Sequence, residues 1–196
     1  MRFAGLFALT FVLSAGLASA QMPGGPRSQQ KRSDVYVKKL APFVASPQRV
    51  VDRMLELAAI KPNEMVFDLG CGDGRILLQA AQKYQAKAIG IEIDERLVQT
   101  TNDRIASLGL QNRVKVQQGN LLEADLSSAD VVTIYLLTQS NELLRPRLEK
   151  MLKPGTRVVS YDYAVPGWKP KRIDRTAETT NGGHLIYLYE MPPEKQ

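Results

Sequence analysis

The segment that most constrains the fold is residues 66–76, whose sequence is VFDLGCGDGRI. It is typical of a short buried strand, a turn with three alternating glycines and the start of a helix. Glycine tolerates the backbone of such a turn and lets a ligand approach where a Cβ atom would clash. The helix that follows presents its free N–H groups to the same ligand. The motif therefore predicts a strand–turn–helix unit with a ligand bound at the turn.

Two acidic residues narrow the chemistry of that ligand. Glu92 follows the next apolar run, 18 positions after Gly74, and a carboxylate at that place suits a ribose diol. Asp68 precedes the first glycine, and its charge disfavours a diphosphate and favours a cationic amino-acid group. The spacing is G-x-G-x-G, and Arg75 stands where dinucleotide-binding proteins have a third glycine. The pattern favours S-adenosylmethionine, which carries an ammonium group, a sulfonium and a ribose without phosphate.

Apolar segments alternate with helical patterns through the rest of the chain. Ser46 and Pro47 predict the start of a helix that precedes the first strand. The predicted strands are residues 65–69, 87–94, 114–118, 131–137 and 156–163, followed by a closing antiparallel pair at 171–178 and 185–190. Strands that alternate with helices indicate a parallel sheet covered on both faces. We therefore predict an α/β fold: a single Rossmann-like, doubly wound domain with a seven-stranded, mostly parallel sheet and a C-terminal antiparallel strand pair.

The first twenty residues differ from the rest. Arg2 precedes an apolar run from residue 3 to 17, and Ala-Ser-Ala follows before Gln21. This pattern predicts a signal peptide, residues 1–20, and export of the mature chain. Residues 21–38 are basic and rich in Pro and Gly, which predicts a disordered linker before a domain at 39–192. The alternative is an uncleaved anchor, for which the basic residues after the run predict a cytoplasmic domain.

The motifs D-L-G-C-G-D-G-R and G-I-E-I-D resemble those of the seven-stranded S-adenosylmethionine-dependent methyltransferases. Three further segments accompany the glycine loop along the chain: PFVASP at 42–47 precedes it, and LKPGTRVVS at 152–160 and GWKP at 167–170 follow it. With them the chain resembles the small lysine methyltransferases that act on the adenine nucleotide translocase and the ATP synthase c subunit, and more so their bacterial relatives. The resemblance covers about residues 40–190.

The resemblance implies S-adenosylmethionine as the cosubstrate and assigns its contacts. Asp68 binds the amino end, Glu92 the ribose and Asn120 the adenine amine, where the superfamily usually has an acid. The backbone approaches the cosubstrate closely at Gly70, Gly72 and Gly74.

The resemblance also implies an acceptor: a lysine amine on a membrane-embedded protein, with the enzyme held at the membrane. An ammonium group must lose its proton before it attacks, and the candidate proton acceptors are Asp162 and Tyr135. The aromatic side chains expected in the amine channel are Phe43, Tyr163 and Trp168. Tyr161 is a further candidate for this channel, but aromatic residues in a strand usually pack in the core, which is the expectation for both Tyr161 and Tyr163. His184 is expected as a strand or turn residue.

Composition and missing motifs argue against several functions. The chain has one cysteine, Cys71, and one histidine, which do not make a typical zinc site, and no metal is expected. The fourth strand is not followed by Asn-Pro-Pro-Tyr or Asp-Pro-Pro-Tyr, which argues against methylation of DNA adenine or glutamine. The net charge is +6, but no basic, aromatic-rich segment is appended, so no nucleic-acid partner is expected.

The sequence leaves two other functions open. One is methylation of a small molecule on nitrogen or oxygen. The other is a module that binds S-adenosylmethionine without transferring its methyl group. Turnover separates the second from an enzyme, because a binding module forms no S-adenosylhomocysteine. The identity of the acceptor and the oligomeric state are not determined by the sequence.

Overall fold

The computed structural model describes residues 40–176 and 183–196. The predicted signal peptide and linker lie outside the described residues, as does the end of the strand predicted at 171–178. The helices are α1 (Gln48–Leu57), α2 (Arg75–Tyr84), α3 (Glu95–Ser107) and α4 (Thr138–Met151). The strands are β1 (Met65–Leu69), β2 (Lys87–Glu92), β3 (Val114–Gln118), β4 (Val131–Ile134), β5 (Arg157–Tyr161), β6 (Trp168–Lys169), β7 (Arg172–Arg175), β8 (Leu185–Glu190) and β9 (Glu194–Lys195).

Seven of these strands form one sheet with the order β3-β2-β1-β4-β5-β8-β7. The first five are parallel, and β8 runs antiparallel to both β5 and β7. This confirms the predicted fold class, including the closing antiparallel pair. The strand order reverses between β1 and β4, and open α/β sheets bind ligands in the crevice outside the carboxyl ends of the strands at such a point.

The sheet separates two apolar cores, because successive side chains of a strand point to opposite faces. Val66 and Val131 face the core beneath α1 and α2. Phe67 and Val132, the next residues, face the core beneath α4. The central strands are therefore apolar at almost every position, which is typical of a parallel sheet covered on both sides.

Element ends differ from the prediction in ways that matter for the site. β4 ends at Ile134 and β5 at Tyr161, so that the residues after them form loops. Asp162 leaves β5 with φ 59°, a left-handed conformation that no strand continues. At the C-terminus, β9 pairs with β6, so the folded domain reaches Lys195 and extends beyond the predicted end at 192.

In the part of the chain that the structure describes, none of the helices has the length and apolar character needed to cross a membrane.

Candidate active site

The glycine loop connects β1 to α2. Gly70, Gly72 and Gly74 have φ angles of 82°, 54° and 75°, which side chains rarely tolerate. A Cβ atom on Gly72 would lie 2.3 Å from the ring of Phe43, and one on Gly74 would lie 2.5 Å from the methyl group of Thr101. Backbone conformation therefore favours glycine at all three positions, and packing also favours it at Gly72 and Gly74.

Asp68 lies at the carboxyl end of β1 and is only 4% exposed. One carboxylate oxygen accepts a hydrogen bond from the Thr133 hydroxyl at 2.8 Å. Burial raises the pKa of Asp68 to about 7, the Thr133 hydrogen bond opposes this shift, and the charges of Glu92 and Asp73 add to it. A cation beside this carboxylate would favour its ionised form. The position therefore suits the ammonium group of an amino acid.

Glu92 ends β2 and is 8% exposed. One oxygen accepts from the backbone N–H of Gly72 at 2.9 Å, and the other from the N–H groups of Ile93 and Asp94 at 2.8 and 2.9 Å. A carboxylate has about four acceptor positions, so capacity for a hydroxyl group remains. Glu92 therefore fixes the glycine loop in addition to its predicted role as the ribose acceptor.

Asn120 follows β3 and is half-buried. Its amide oxygen accepts from the backbone N–H of Leu122 at 3.0 Å, and its amide nitrogen donates to Glu123 at 3.4 Å. The oxygen keeps a second lone pair for the predicted adenine contact. Apolar side chains of Leu97 and Leu121 line the same part of the cleft, as an adenine ring requires.

These groups line one cleft, whose empty volume including its open mouth is about 920 Å³. It contains the carboxyl ends of β1 and β2, the residues after β3 and β4, and residues 40–46. Buried acids, exposed backbone and apolar walls fit the amino, ribose and adenine parts of S-adenosylmethionine. Within residues 40–176 and 183–196, no group of three or more His, Cys, Asp or Glu residues is arranged to hold a metal ion.

Residues 40–46, which we call the covering segment, form one wall of the cleft. Phe43 is 50% exposed and its ring lies against Gly72. Arg75 donates to the backbone carbonyl of Ser46 and forms an ion pair with Asp73, with a shortest distance of 2.7 Å. At the other end, the Ser140 hydroxyl donates to a carbonyl of the segment. Phe43, predicted to line the amine channel, thus lies beside the cosubstrate loop.

Cys71 lies within the glycine loop and is buried. Burial, followed by the charges of Asp68 and Glu92, raises the pKa of its thiol. A Cβ atom on Gly90 would lie 2.4 Å from the sulfur, so the thiol packs tightly against β2. A protonated, enclosed thiol is a packing residue and a poor nucleophile.

Beside the cosubstrate cleft lies an aromatic cluster of Tyr135, Tyr161 and Tyr163. The ring centroid of Tyr135 is 4.3 Å from that of Tyr161 and 6.3 Å from that of Tyr163. Tyr135 also lines the cleft, whereas Tyr161 is buried, as expected for a core residue. Burial, followed by the charge of Asp162, raises the pKa of Tyr135, so its phenol stays neutral and acts as a donor.

Asp162 forms a pair with His184 that sequence reasoning missed. The carboxylate is 2.8 Å from Nδ1 of His184 and also accepts from the N–H of Leu185 at 3.2 Å. The His184 ring lies 5.2 Å from the ring of Tyr161. We expected His184 to be only a strand or turn residue. The antiparallel register, in which Tyr161 lies opposite Ile186, is the signal that would have placed it beside Asp162.

Trp168 does not reach the aromatic cluster, and its predicted place in the amine channel is wrong. The side chain is fully buried and belongs to the core beneath α4. Its indole N–H donates to Glu149 at 2.7 Å, and its ring packs edge to face on Tyr189 with centroids 5.4 Å apart. The pairing of β6 with β9 holds it there. The large apolar ring gains more from this core than from a polar channel.

Comparison with known proteins gives consistent results. Residues 68–172, more than half of the chain, match the ANTKMT methyltransferase domain. A protein-lysine N-methyltransferase from Saccharolobus islandicus is 44% identical over 79% of this chain and 96% of its own length. The mouse adenine nucleotide translocase lysine N-methyltransferase is 33% identical over 80% of this chain and 66% of its own length.

A solved structure is similar over almost its entire length. It is an RNA methyltransferase from Salinibacter ruber in complex with S-adenosyl-L-homocysteine, with 42% identity and a TM-score of 0.72. The match covers 78% of this chain and 97% of that one.

The fold, the cleft and these similarities define the class of the protein: it is an S-adenosylmethionine-dependent methyltransferase with a Rossmann-like sheet. Within that class, the chain belongs to the family of the ANTKMT methyltransferase domain.

Proposed function

We propose that this methyltransferase modifies the side-chain amine of a lysine in a protein. The observation that carries the proposal is the aromatic cluster with Asp162 beside it, next to the cosubstrate cleft. Aromatic faces attract ammonium and methylated ammonium groups, and a carboxylate adds a favourable charge. A neutral hydroxyl acceptor would gain little from such surroundings.

The relatives support a protein acceptor and also suggest a competitor. The Saccharolobus relative is named a protein-lysine N-methyltransferase, and the mouse relative is named for a lysine of the adenine nucleotide translocase. The Salinibacter structure, at similar identity, is titled an RNA methyltransferase. RNA is therefore the second candidate acceptor, and the experiment must include it.

The residues of the cleft would align the two reactants, which is the main requirement of an in-line displacement. The bound cosubstrate supplies an electrophilic methyl group on a positively charged sulfur. Asp68 would hold its ammonium group, and Glu92 a ribose hydroxyl. Tyr135 lies at the junction of cleft and aromatic cluster, where its ring would guide the amine.

We further propose that the acceptor protein is membrane-associated. The basic segment 21–38 would bring the enzyme to the membrane after cleavage, and the apolar run would do so where it is not cleaved. The apolar run at 3–17 and the basic residues after it support this placement. Export of the domain through a signal peptide is the first proposal for its location, and an anchored domain in the cytoplasm the second. A phosphatase reporter fused after residue 196 would be active outside the cytoplasm only in the first case.

The test of the acceptor uses the full chain in detergent with methyl-labelled S-adenosylmethionine. Soluble protein, membrane protein and RNA fractions of the source cell are offered separately. We expect label in the protein fractions, recovered as methyl-lysine by mass spectrometry, and more of it in the membrane fraction. Label in RNA alone would contradict the proposal. E92A should lose the activity, whereas E95A, which removes an exposed acid three residues later, should keep it.

A further inference from the structure

We propose that His184, oriented by Asp162, accepts the proton that the lysine ammonium group loses before methyl transfer. The inference rests on the proposed lysine acceptor and adds to it a proton acceptor and a positioning residue. It reassigns Asp162, which the sequence suggested as the acceptor itself.

The hydrogen bond between the two side chains sets the state of the imidazole. An ionised carboxylate only accepts hydrogen bonds, so Nδ1 of His184 carries the proton in the pair at 2.8 Å. In the neutral ring Nε2 then has a free lone pair, which is the arrangement of a general base held by a third group. Asp162 also accepts from the Leu185 N–H at 3.2 Å, which holds the carboxylate beside the ring. The basic end of the pair is therefore the imidazole.

The position of Asp162 is fixed by its backbone. Its φ of 59° turns the chain out of β5, and its N–H donates to the Leu185 carbonyl at 2.7 Å. The next residue is also held, since the Tyr163 carbonyl accepts from the amide of Asn141 at 3.0 Å and from the hydroxyl of Ser160. A loop fastened at successive residues keeps the carboxylate, and through it the imidazole, in one orientation.

The aromatic cluster connects this pair to the cleft. The His184 ring is 5.2 Å from Tyr161, which is 4.3 Å from Tyr135, and Tyr135 lines the cosubstrate cleft. Because Tyr161 itself is buried, this route requires the amine to reach Nε2 along the exposed side of His184 and to continue past Tyr135. The His184 side chain is 35% exposed, so the proton it takes can leave to water.

The groups around His184 favour it over its neighbours as the base. From β5 and its loop it meets Tyr161 and Asp162, and Tyr135 lies behind Tyr161, with its ring centroid 4.3 Å from that of Tyr161. On β7, Arg175 lies opposite Leu185, the residue next to it. Burial and the Asp162 charge keep the pKa of Tyr135 above its usual value, so this phenol does not accept a proton at neutral pH.

The step balances without another reactant. The ammonium group gives one proton to Nε2 and becomes a neutral amine. Its lone pair forms the new N–C bond while the C–S bond breaks and its electrons stay on sulfur. The products are a methylated ammonium group, S-adenosylhomocysteine and the proton on His184, which then passes to water.

The test compares two substitutions of the histidine in the full chain. In H184N the amide nitrogen replaces Nδ1 and still donates to Asp162, but nothing replaces Nε2. We expect kcat for lysine methylation to fall roughly 100-fold or more, the usual contribution of a general base. The rise of kcat with pH on the acidic side should disappear, while the affinity for S-adenosylmethionine and the melting temperature stay unchanged. In H184G, added imidazole should restore turnover in proportion to its basic form.

A purely structural role gives a different result. If His184 only holds its loop against Asp162, H184N keeps both kcat and the rise of kcat with pH on the acidic side, and imidazole has no effect in H184G. This result overturns the inference about His184 and leaves the proposed function standing. D162N, in which the amide remains compatible with the left-handed backbone, should lower kcat less than H184N and shift the acidic limb. If the wild-type protein methylates RNA and no lysine, the proposed function fails and this inference with it.

Discussion

The two halves of the active site differ in the partner that each gives to its aspartate. In the cosubstrate half, Asp68 is buried beside a neutral hydroxyl, that of Thr133, and its pKa rises to about 7. In the acceptor half, Asp162 has the titratable His184 as a partner within the protein. An acid that is to bind a cationic ligand is best left without a competing cation, whereas an acceptor amine that must release a proton needs a group that takes it.

Four substitutions test this contrast, because each should affect mainly one half. The contrast fails if a substitution in the cosubstrate half lowers kcat alone, or if one in the acceptor half lowers cosubstrate affinity.

We expect the largest effect from E92A in the cosubstrate half. It leaves the buried N–H group of Gly72 without its acceptor, at a cost of about 1–3 kcal/mol, and removes the acceptor of the partly buried N–H groups of Ile93 and Asp94. The affinity for S-adenosylmethionine, measured by calorimetry, should fall by about 100-fold or more, equivalent to about 3 kcal/mol. E95A is the matched control, since it removes the same charge from the surface and should bind normally.

The second effect is a pH dependence that Asp68 imposes on binding. If Asp68 binds the ammonium group of the cosubstrate as predicted, the contact needs the ionised carboxylate, and affinity should fall by up to about tenfold per pH unit below pH 7. Because the folded-state pKa lies above the unfolded value, the stabilisation from this group is complete below about pH 4 and is lost as the pH rises through about 7. D68N should abolish the pH dependence of affinity, measured by calorimetry, and the pH dependence of stability that comes from this group, measured by thermal melts at a series of pH values.

The third substitution is in the acceptor half. The Asn141 amide donates to the carbonyls of Tyr163 and Ala164, so N141A should lower the free energy of unfolding by about 1–3 kcal/mol. It should reduce kcat and leave cosubstrate affinity unchanged. N141D should be worse in a denaturant titration, because a carboxylate would face two carbonyl oxygens. Equal stability of the two variants would show that these hydrogen bonds contribute little.

The smallest effect should come from the covering segment. F43A removes a half-exposed ring from Gly72, worth about 1 kcal/mol of apolar contact, so cosubstrate affinity should fall about fivefold. F43L, which keeps much of the apolar area, should lose less. In stopped-flow binding, we expect the loss of affinity to appear as a faster dissociation of the cosubstrate. A loss of kcat with unchanged affinity would instead show that Phe43 acts in the acceptor half.

The sequence predicted the cosubstrate half well because its signals are local. The glycine spacing and the acids before and after it follow from backbone geometry, and the sheet follows from the alternation of strands and helices. The predicted contacts of Asp68, Glu92 and Asn120 with the cosubstrate remain predictions. What the motif could not reveal is that Glu92 also fastens the loop that contains Gly72.

The acceptor half was predicted less well, because no spacing rule links its residues. Trp168 looked like a channel aromatic residue, yet the pairing of the two shortest strands places it in the core. His184 came next to Asp162 only through the register of β8 on β5. The positions of Trp168 and His184 both depend on how strands that are distant in the sequence pair, and no local sequence motif indicates that pairing.

Arg75 joins the covering segment to the glycine loop. The same guanidinium binds Asp73 in the glycine loop and the Ser46 carbonyl in the covering segment. If the cosubstrate orders that loop, it also favours the closed segment. By reciprocity, a contact that favours the same position of the covering segment would raise cosubstrate affinity by the same factor by which the cosubstrate favours that position. Occupancy of the cleft and the position of the covering segment would then be coupled in one equilibrium.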